Sequence, residues 1–148
     1  MAERSEVDWW RSLLAPVPCV GLAPDEVDRV EAAHGLPLPA AYRAFLSVAG
    51  RRCGSVWVGT DAYFPELLDV RDGALALLAE CGAVDLLGPD DVVIGLHQGY
   101  ELLCLRGRED DPPVFHYLEG ADALDPVADR FSGFLVSCLV EAGHDVAG

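Results

Sequence analysis

The first third of the chain contains a helix, a glycine, two prolines and a second helix, and this arrangement constrains the fold more than any other feature. Pro24 stands where a first helical residue is favourable, and the two acids after it suit the positive end of a helix dipole. Gly35 ends the helix in the left-handed conformation that glycine adopts at little cost. Pro39 begins a second helix, whose apolar side chains recur with helical spacing as far as Gly50. The sequence therefore predicts two short helices joined by a stiff elbow over residues 36–39.

The rest of the chain combines short strands with further helical segments. Residues 92–96, 100–105 and 114–118 are β-branched or apolar and follow one another across short loops. Such closely spaced strands predict an antiparallel meander. Residues 55–59 predict another short strand. Apolar spacing predicts helices over residues 64–81 and about 130–142.

These elements predict a single α+β domain with a mainly antiparallel sheet. The N-terminal helix pair, a middle helix and a C-terminal helix are expected to pack on that sheet. A chain of 148 residues is long enough for one core but not for two. We expect residues 1–19, with an amphipathic turn over 9–14, to form an extension that packs on the domain. The domain is expected over residues 20–142, followed by a tail over 143–148.

The chain is strongly acidic, and the acid is concentrated in its second half. It has 25 Asp and Glu against 10 Lys and Arg, for a formal net charge of −15. Residues 75–148 hold 14 of the acids and only three arginines. Binding to nucleic acid is not expected, because phosphate neutralisation needs clustered cations. The negative electrostatic field of these acids steers basic partners toward the protein. Acidic loops that serve only solubility have the same composition, so this alternative stays open.

Composition also bears on source and compartment. The chain has no Lys, no Asn and one Ile, a bias typical of a GC-rich bacterial genome. Acids lie where a signal peptide carries basic residues, and no apolar run approaches the ~18 residues of a membrane span. We therefore expect a cytoplasmic protein that does not bind membranes. Five scattered cysteines without a C-x-x-C pair predict buried free thiols rather than disulfides or a zinc site.

The sequence lacks the common catalytic and cofactor-binding signatures, and we expect neither an enzyme nor a cofactor. Without lysine, a Schiff base or a P-loop lysine is excluded. One hairpin register of the strands over 100–105 and 114–118 brings Cys104 near His116, where a thiolate–imidazole pair is one interpretation. Burial of both as core side chains is the other, since a one-residue slip in register separates them.

Two further polar features each have two interpretations. His97 lies at a turn, where it either contacts a ligand or partner, or caps the turn and faces solvent. The carboxylates of Asp90, Asp91 and residues 109–111 are oxygen donors of the kind that hard cations prefer. They lack the spacing of an EF-hand, so no metal site is expected.

Aromatic pairs occur at two predicted segment ends. Trp9 and Trp10 begin the amphipathic turn, and Tyr63 and Phe64 precede the middle helix. Aromatic side chains in such places either anchor interfaces or fill the core. We expect one member of each pair in the core.

The order of these elements resembles the SUKH superfamily, the Smi/Knr-type domains first described in fungal cell-wall assembly regulators. Residues 21–27 read Gly-Leu-Ala-Pro-Asp-Glu-Val, and residues 35–46 read Gly-Leu-Pro-Leu-Pro-Ala-Ala-Tyr-Arg-Ala-Phe-Leu. This is similar to the superfamily's opening of an acidic helix, a glycine, a proline elbow and a Tyr-x-x-Phe-Leu helix. The later strands and the closing helix follow in the same order, so the resemblance covers about residues 20–140. Ala23 departs from it, because a Ser or Thr cap is more usual there.

The resemblance implies an α+β domain without catalytic activity that binds another protein. Bacterial members are similar to immunity proteins of polymorphic toxin systems, which neutralise a toxin domain, often a nuclease or a deaminase. The alternative is a scaffold or regulatory module without a toxin partner. The superfamily has no fixed site residues, so we predict the partner-binding surface from the charge of this sequence. We expect a monomer whose acidic half contacts a basic surface of the toxin. The predicted partner-binding residues are Asp90, Asp91, His97, Glu109, Asp110, Asp111, Tyr117, Glu119, Asp122 and Asp125.

Overall fold

Helices and two antiparallel sheets alternate along the chain, which the computed structural model describes over residues 2–146. The helices are α1 (Ala2–Leu13), α2 (Pro24–His34), α3 (Ala40–Ala49), α4 (Val70–Glu80) and α5 (Phe131–Glu141), with 3-10 turns at Glu66–Leu68 and Val84–Leu86. The strands are β1 (Cys19–Val20), β2 (Arg52–Cys53), β3 (Val92–His97), β4 (Glu101–Leu105), β5 (Val114–Leu118) and β6 (Asp125–Ala128). The predicted α+β class is confirmed.

The larger sheet is the predicted meander, with strand order β3-β4-β5-β6 and antiparallel pairs throughout. Because each strand reverses direction, successive loops lie at opposite ends of the sheet. Residues 88–91 and 106–113 lie at one end, which we call the elbow end. Residues 98–100 and 119–124 lie at the other, which we call the turn end.

The helix–elbow–helix opening forms as the sequence predicts. Gly35, with φ of 67°, ends α2 by donating its N–H to carbonyls of the last turn. Ala23 supplies no side-chain cap, but the Glu26 carboxylate accepts the Ala23 N–H at 3.0 Å and so closes the first turn from inside the helix.

Helix α1 is longer than the predicted turn and packs against α3. Trp10 is fully buried, lies 5.3 Å from the Phe45 ring between centroids, and donates its indole N–H to the Ala41 carbonyl at 3.0 Å. Its neighbour Trp9 is 48% exposed. In the second aromatic pair Phe64 is buried, so each pair contributes one core residue as expected.

Side-chain contacts tie the sheet to the helices. Helix α4 packs along β3, where a Cβ at Gly73 would lie 2.5 Å from the end of the Leu96 side chain, so Gly73 leaves room for this leucine. His34, in the last turn of α2, places its Nε2 2.7 Å from the Val93 carbonyl oxygen. These contacts join both halves of the chain in one core.

Two local predictions are wrong, and three short strands are not predicted. Residues 55–59 are turns rather than a strand, because left-handed residues at Gly54 (φ 57°), Trp57 (φ 60°) and Gly59 (φ 88°) repeatedly reverse the backbone. The middle helix begins at Val70 instead of residue 64, since Asp69, with φ of −110° and ψ of −3°, departs from helical geometry. The two-residue strands β1 and β2 and the proline-containing strand β6 are not anticipated by the sequence analysis.

Candidate partner-binding groove

A groove of about 520 Å³ opens at the elbow end of the sheet, between the proline elbow and the loop over residues 107–110. The elbow supplies an apolar wall, and the loop supplies a charged one. The lining residues are Leu36, Pro37, Leu38, Pro39, Ala40, Arg43, Asp90, Val92, Gly107, Arg108, Glu109 and Asp110.

Backbone hydrogen bonds fix the two walls relative to each other. The Ala41 N–H, in the first turn of α3, donates to the Asp110 carbonyl oxygen at 2.8 Å. The Leu38 N–H donates to the Glu31 carboxylate at 2.9 Å, so α2 holds the elbow from behind. Pro37 and Pro39 have fixed φ angles and no N–H. The groove is therefore preformed rather than assembled from mobile loops.

Arg43 lines the groove from α3, and carboxylates of α2 neutralise its charge. Its guanidinium lies 2.6 Å from Asp28 and 3.4 Å from Glu31. These two acids are three residues apart and so lie on one face of α2. The arginine therefore braces the helix pair.

The charged wall presents acids to solvent. Asp90 forms an ion pair with Arg108 at 2.9 Å, but the Arg108 side chain is 84% exposed, so the pair is highly solvated. Glu109 and Asp110 are both exposed on the loop. Of the predicted partner-binding residues, these three acids are the ones that the structure brings together at the groove.

Asp111 lies beside the groove and serves mainly to start a helix. Its carboxylate accepts the Ser132 N–H at 2.9 Å and the Ser132 hydroxyl, in the first turn of α5. Glu6, on α1, is a neighbour that the sequence analysis does not identify. Burial, together with the charges of Asp111 and Asp110, raises the pKa of the Glu6 carboxyl. Only the packing of α1 brings Glu6 here, and no local sequence pattern indicates it.

Two of the predicted partner-binding residues lie in the interior. Asp91 is 2% exposed, accepts two hydrogen bonds from Arg106 at 3.0 and 2.7 Å, and accepts the Gly88 N–H at 2.7 Å. Tyr117 has no exposed surface and fills the core beneath β5. For Asp91 and Tyr117 the prediction of a surface role is wrong, because neither is accessible to a partner.

The remaining predicted residues lie at the turn end. Glu119, Asp122 and Asp125 are exposed on or beside the loop between β5 and β6. His97 is half-buried, with Nδ1 2.9 Å from the Thr60 hydroxyl. Strand β4 alone, five residues at roughly 3.3 Å each, separates the two ends by about 17 Å. The predicted surface is therefore two separate patches.

Comparison with protein-family models places the groove in a known domain: the model of the SMI1 / KNR4 family (SUKH-1) matches residues 21–137. The chain belongs to the SMI1/KNR4 family. No curated protein matches the chain. The match begins just before α2 and ends within α5, so it includes both walls of the groove and the whole larger sheet. Helix α1, with Glu6 and Trp10, lies outside the part matched to SMI1/KNR4.

Within this SMI1/KNR4 domain Cys104 and His116 do not form a pair. Cys104 lies opposite Phe115, and His116 opposite Leu103, so their side chains project from opposite faces of the sheet. Burial raises the pKa of the Cys104 thiol to about 12, and His116 instead contacts Glu101 at 2.7 Å. The thiolate–imidazole interpretation is therefore wrong.

Residues 2–146 contain neither a candidate metal site nor a membrane-spanning helix. In this part of the SMI1/KNR4 chain, no group of three or more His, Cys, Asp or Glu side chains is arranged to hold a metal ion. Over the same residues, no helix is both long enough and apolar enough to cross a membrane.

Proposed function

We propose that this protein is a bacterial immunity protein that binds a toxin domain of the nuclease or deaminase class and neutralises it without catalysis. Membership of the SMI1/KNR4 family supports a role in protein binding. The observation that carries the proposal is the groove, in which a rigid apolar wall faces exposed acids. Protein interfaces combine an apolar centre with charged surroundings in this way.

The charge distribution supports a basic partner. Residues 75–148 contain 14 acids and only three arginines. Two of these arginines, Arg106 and Arg108, are paired with Asp91 and Asp90 respectively. The exposed acids of the elbow end therefore retain a strong negative field. Such a field accelerates the encounter with a positively charged protein and disfavours acidic ones.

The same groove suits competition with a nucleic acid. An enzyme that acts on nucleic acid presents cations to phosphates, and carboxylates on a rigid frame can occupy those positions. We assign Asp90, Glu109 and Asp110 to this contact, with Leu36 and Pro37 as its apolar part. The protein blocks the toxin by covering its active site, so it needs no catalytic group.

The test needs a toxin domain encoded by a gene next to that of this protein, and the absence of such a gene would count against the proposal. Affinity for that domain is measured by isothermal titration calorimetry. The double variant Glu109→Arg/Asp110→Arg is expected to bind about 100-fold more weakly, since coupling between close charges at such interfaces exceeds about 1.5 kcal/mol per pair. The matched control is Glu80→Arg/Glu141→Arg, which makes the same change in charge at two exposed helix ends away from the groove. We expect the control to bind within a few-fold of the wild type.

Two results would contradict the proposal. If the wild-type protein neither binds nor inhibits the toxin domain, the function is wrong. If both double variants lose affinity equally, net charge alone governs binding, and the groove is not the contact surface.

A further inference from the structure

A second cavity, of about 270 Å³, lies on the open face of the sheet near the turn end. It is separate from the groove and shares no lining residue with it. Trp57 and Thr60 border it from the turn-rich segment between β2 and α4, and His97, Glu101 and His116 border it from three neighbouring strands. The function proposed above does not use this pocket.

One residue that lines the pocket, Trp57, has an unusual backbone conformation. Among residues 2–146, the non-glycine residues with positive φ are Trp57 at 60° and Gln98 at 50°. Trp57 lines the pocket, and Gln98 directly follows His97, which also lines it. A bulky side chain in this conformation is unfavourable and persists only where its surroundings hold it. The positive φ of Gln98 belongs to the turn between β3 and β4, whose two central residues, Gln98 and Gly99, both require positive φ. Trp57 has no such turn requirement, and strained residues of its kind cluster at ligand-binding sites.

Packing holds the Trp57 indole in place from the interior side. The ring stacks on Phe134 with centroids 6.3 Å apart and planes at 27°, and the Tyr63 ring lies 6.0 Å away. The Tyr63 hydroxyl donates to the Val56 carbonyl at 2.6 Å and steadies the adjacent backbone. Trp57, which borders the pocket, therefore has an indole that its neighbours hold in one orientation.

Glu101 supplies a hydrogen-bond acceptor to the pocket, whereas Thr60 and His97 contact each other at 2.9 Å. Glu101 Oε2 lies 2.7 Å from His116 Nε2. An ionised carboxylate only accepts, so His116 Nε2 carries the proton and Glu101 Oε1 is left for another donor. The Glu101 and His116 side chains are 32% and 29% exposed, which leaves both accessible to a ligand. Asp125 lies opposite His116 on β6 and adds a second carboxylate beside the pocket.

We propose that this pocket binds the side chain of an arginine presented by a protein partner. A guanidinium is a planar cation that donates to carboxylates in a fixed geometry and stacks on indole rings. Glu101 supplies the carboxylate, Trp57 supplies the ring, and Leu103 supplies apolar contact for the methylene stem. Leu118, opposite Glu101 in the ladder and 48% exposed, extends the apolar surface beside the pocket, as a protein contact requires. This site is additional to the groove and does not depend on the identity of a toxin.

The test uses the capped peptide Ac-Gly-Arg-Gly-NH2 as the probe, titrated against the full-length protein. The readout is the indole N–H resonance of Trp57 in nuclear magnetic resonance spectra, assigned with the variant Trp57→Phe. We expect a saturable shift of this resonance, and a much smaller one with the neutral isostere in which citrulline replaces arginine.

Paired variants locate the contact. Glu101→Gln should weaken binding of the peptide about tenfold, the lower range for a hydrogen bond to a charged group. The control Glu119→Gln removes the same charge from an exposed loop position, and we expect it to stay within about twofold of the wild type, because exposed charges interact weakly.

Two outcomes would overturn the proposal. The proposal is wrong if the citrulline peptide shifts the indole resonance as strongly as the arginine peptide does. It is also wrong if Glu101→Gln and Glu119→Gln weaken binding equally. A concentration-dependent dimer that Glu101→Gln abolishes would support the proposal and identify the partner as a second copy of this chain, whose arginine occupies the pocket. Sedimentation velocity of the wild type and Glu101→Gln distinguishes this last case.

Discussion

Replacing Asp91 by asparagine tests whether an acid in the acidic half of the chain is structural. The Asp91 carboxylate accepts three hydrogen bonds, from the Gly88 N–H and from two nitrogens of Arg106, and it is 2% exposed. It thereby joins the turn before β3 to the end of β4. Asparagine has nearly the same size, so Asp91→Asn removes the charge with little change in packing.

The expected cost follows from the geometry of this pair. Removing one partner of a buried ion pair costs about 3–5 kcal/mol, because the other charge is left without compensation. Arg106 is 38% exposed, so water solvates part of its guanidinium once the carboxylate is lost. Asparagine also keeps one acceptor oxygen. We therefore expect a loss of about 2–3 kcal/mol, which is smaller than the cost for a fully buried pair. For a domain of this length the melting temperature should fall by roughly 6–12 °C.

The neighbouring variant Asp90→Asn is the matched control. Asp90 also pairs with an arginine, Arg108, but that side chain is 84% exposed. Loss of this ion pair should therefore cost under about 1 kcal/mol. Urea unfolding followed by circular dichroism measures both variants, with an unchanged m-value as the sign that only stability has changed. If Asp91→Asn and Asp90→Asn unfold at the same urea concentration, burial of Asp91 does not have the energetic role argued above.

Three other predictions concern single side chains. Because the fold raises the pKa of Glu6, the ionised carboxylate destabilises the folded protein at pH values above its ordinary pKa of 4.5. Glu6→Gln should therefore raise the melting temperature at pH 7 and leave it unchanged below pH 4. An equal gain at both pH values would contradict this reasoning. Burial raises the pKa of the Cys104 thiol to about 12, so this thiol should react slowly with iodoacetamide. Mass spectrometry should show labelling at least about 100-fold slower in the folded protein than in urea. Labelling at similar rates would show that the thiol is accessible. His34→Ala should lower the free energy of unfolding by about 2–3 kcal/mol in urea titrations. The variant opens a cavity and leaves the buried Val93 carbonyl without the imidazole nitrogen that lies 2.7 Å from it. A loss below about 0.5 kcal/mol would argue against that contact.

The parts of the fold that the sequence predicts are those with local signals. Pro24 and Gly35 mark the ends of α2 by their own conformational preferences, and these act in the same way in any context. Apolar residues at helical or alternating spacing indicate which face of an element is buried. The conformation of residues 55–59 instead depends on contacts with distant residues. Its Val and Trp residues favour a strand, but the packing of Trp57 on Phe134 selects a left-handed turn.

The candidate site was predictable only in part. The alternation of loops in a meander already implies that residues 109–111 and 119–125 lie at opposite ends of the sheet, so the division into two patches follows from the predicted topology. The groove itself does not, because its apolar wall comes from the elbow, more than 60 residues before the loop that faces it. Glu6 joins the acids there only through the packing of α1 on α3.

The sequence by itself determined the class of the fold, the family resemblance and the excess of acid in the second half. Only the tertiary structure decided which acids face solvent: Asp90 lines the groove, whereas its neighbour Asp91 is buried against Arg106. Secondary structure depends on preferences that each residue carries along the chain. The accessibility of a carboxylate instead depends on which groups the fold places around it, since desolvation and pairing are properties of that environment.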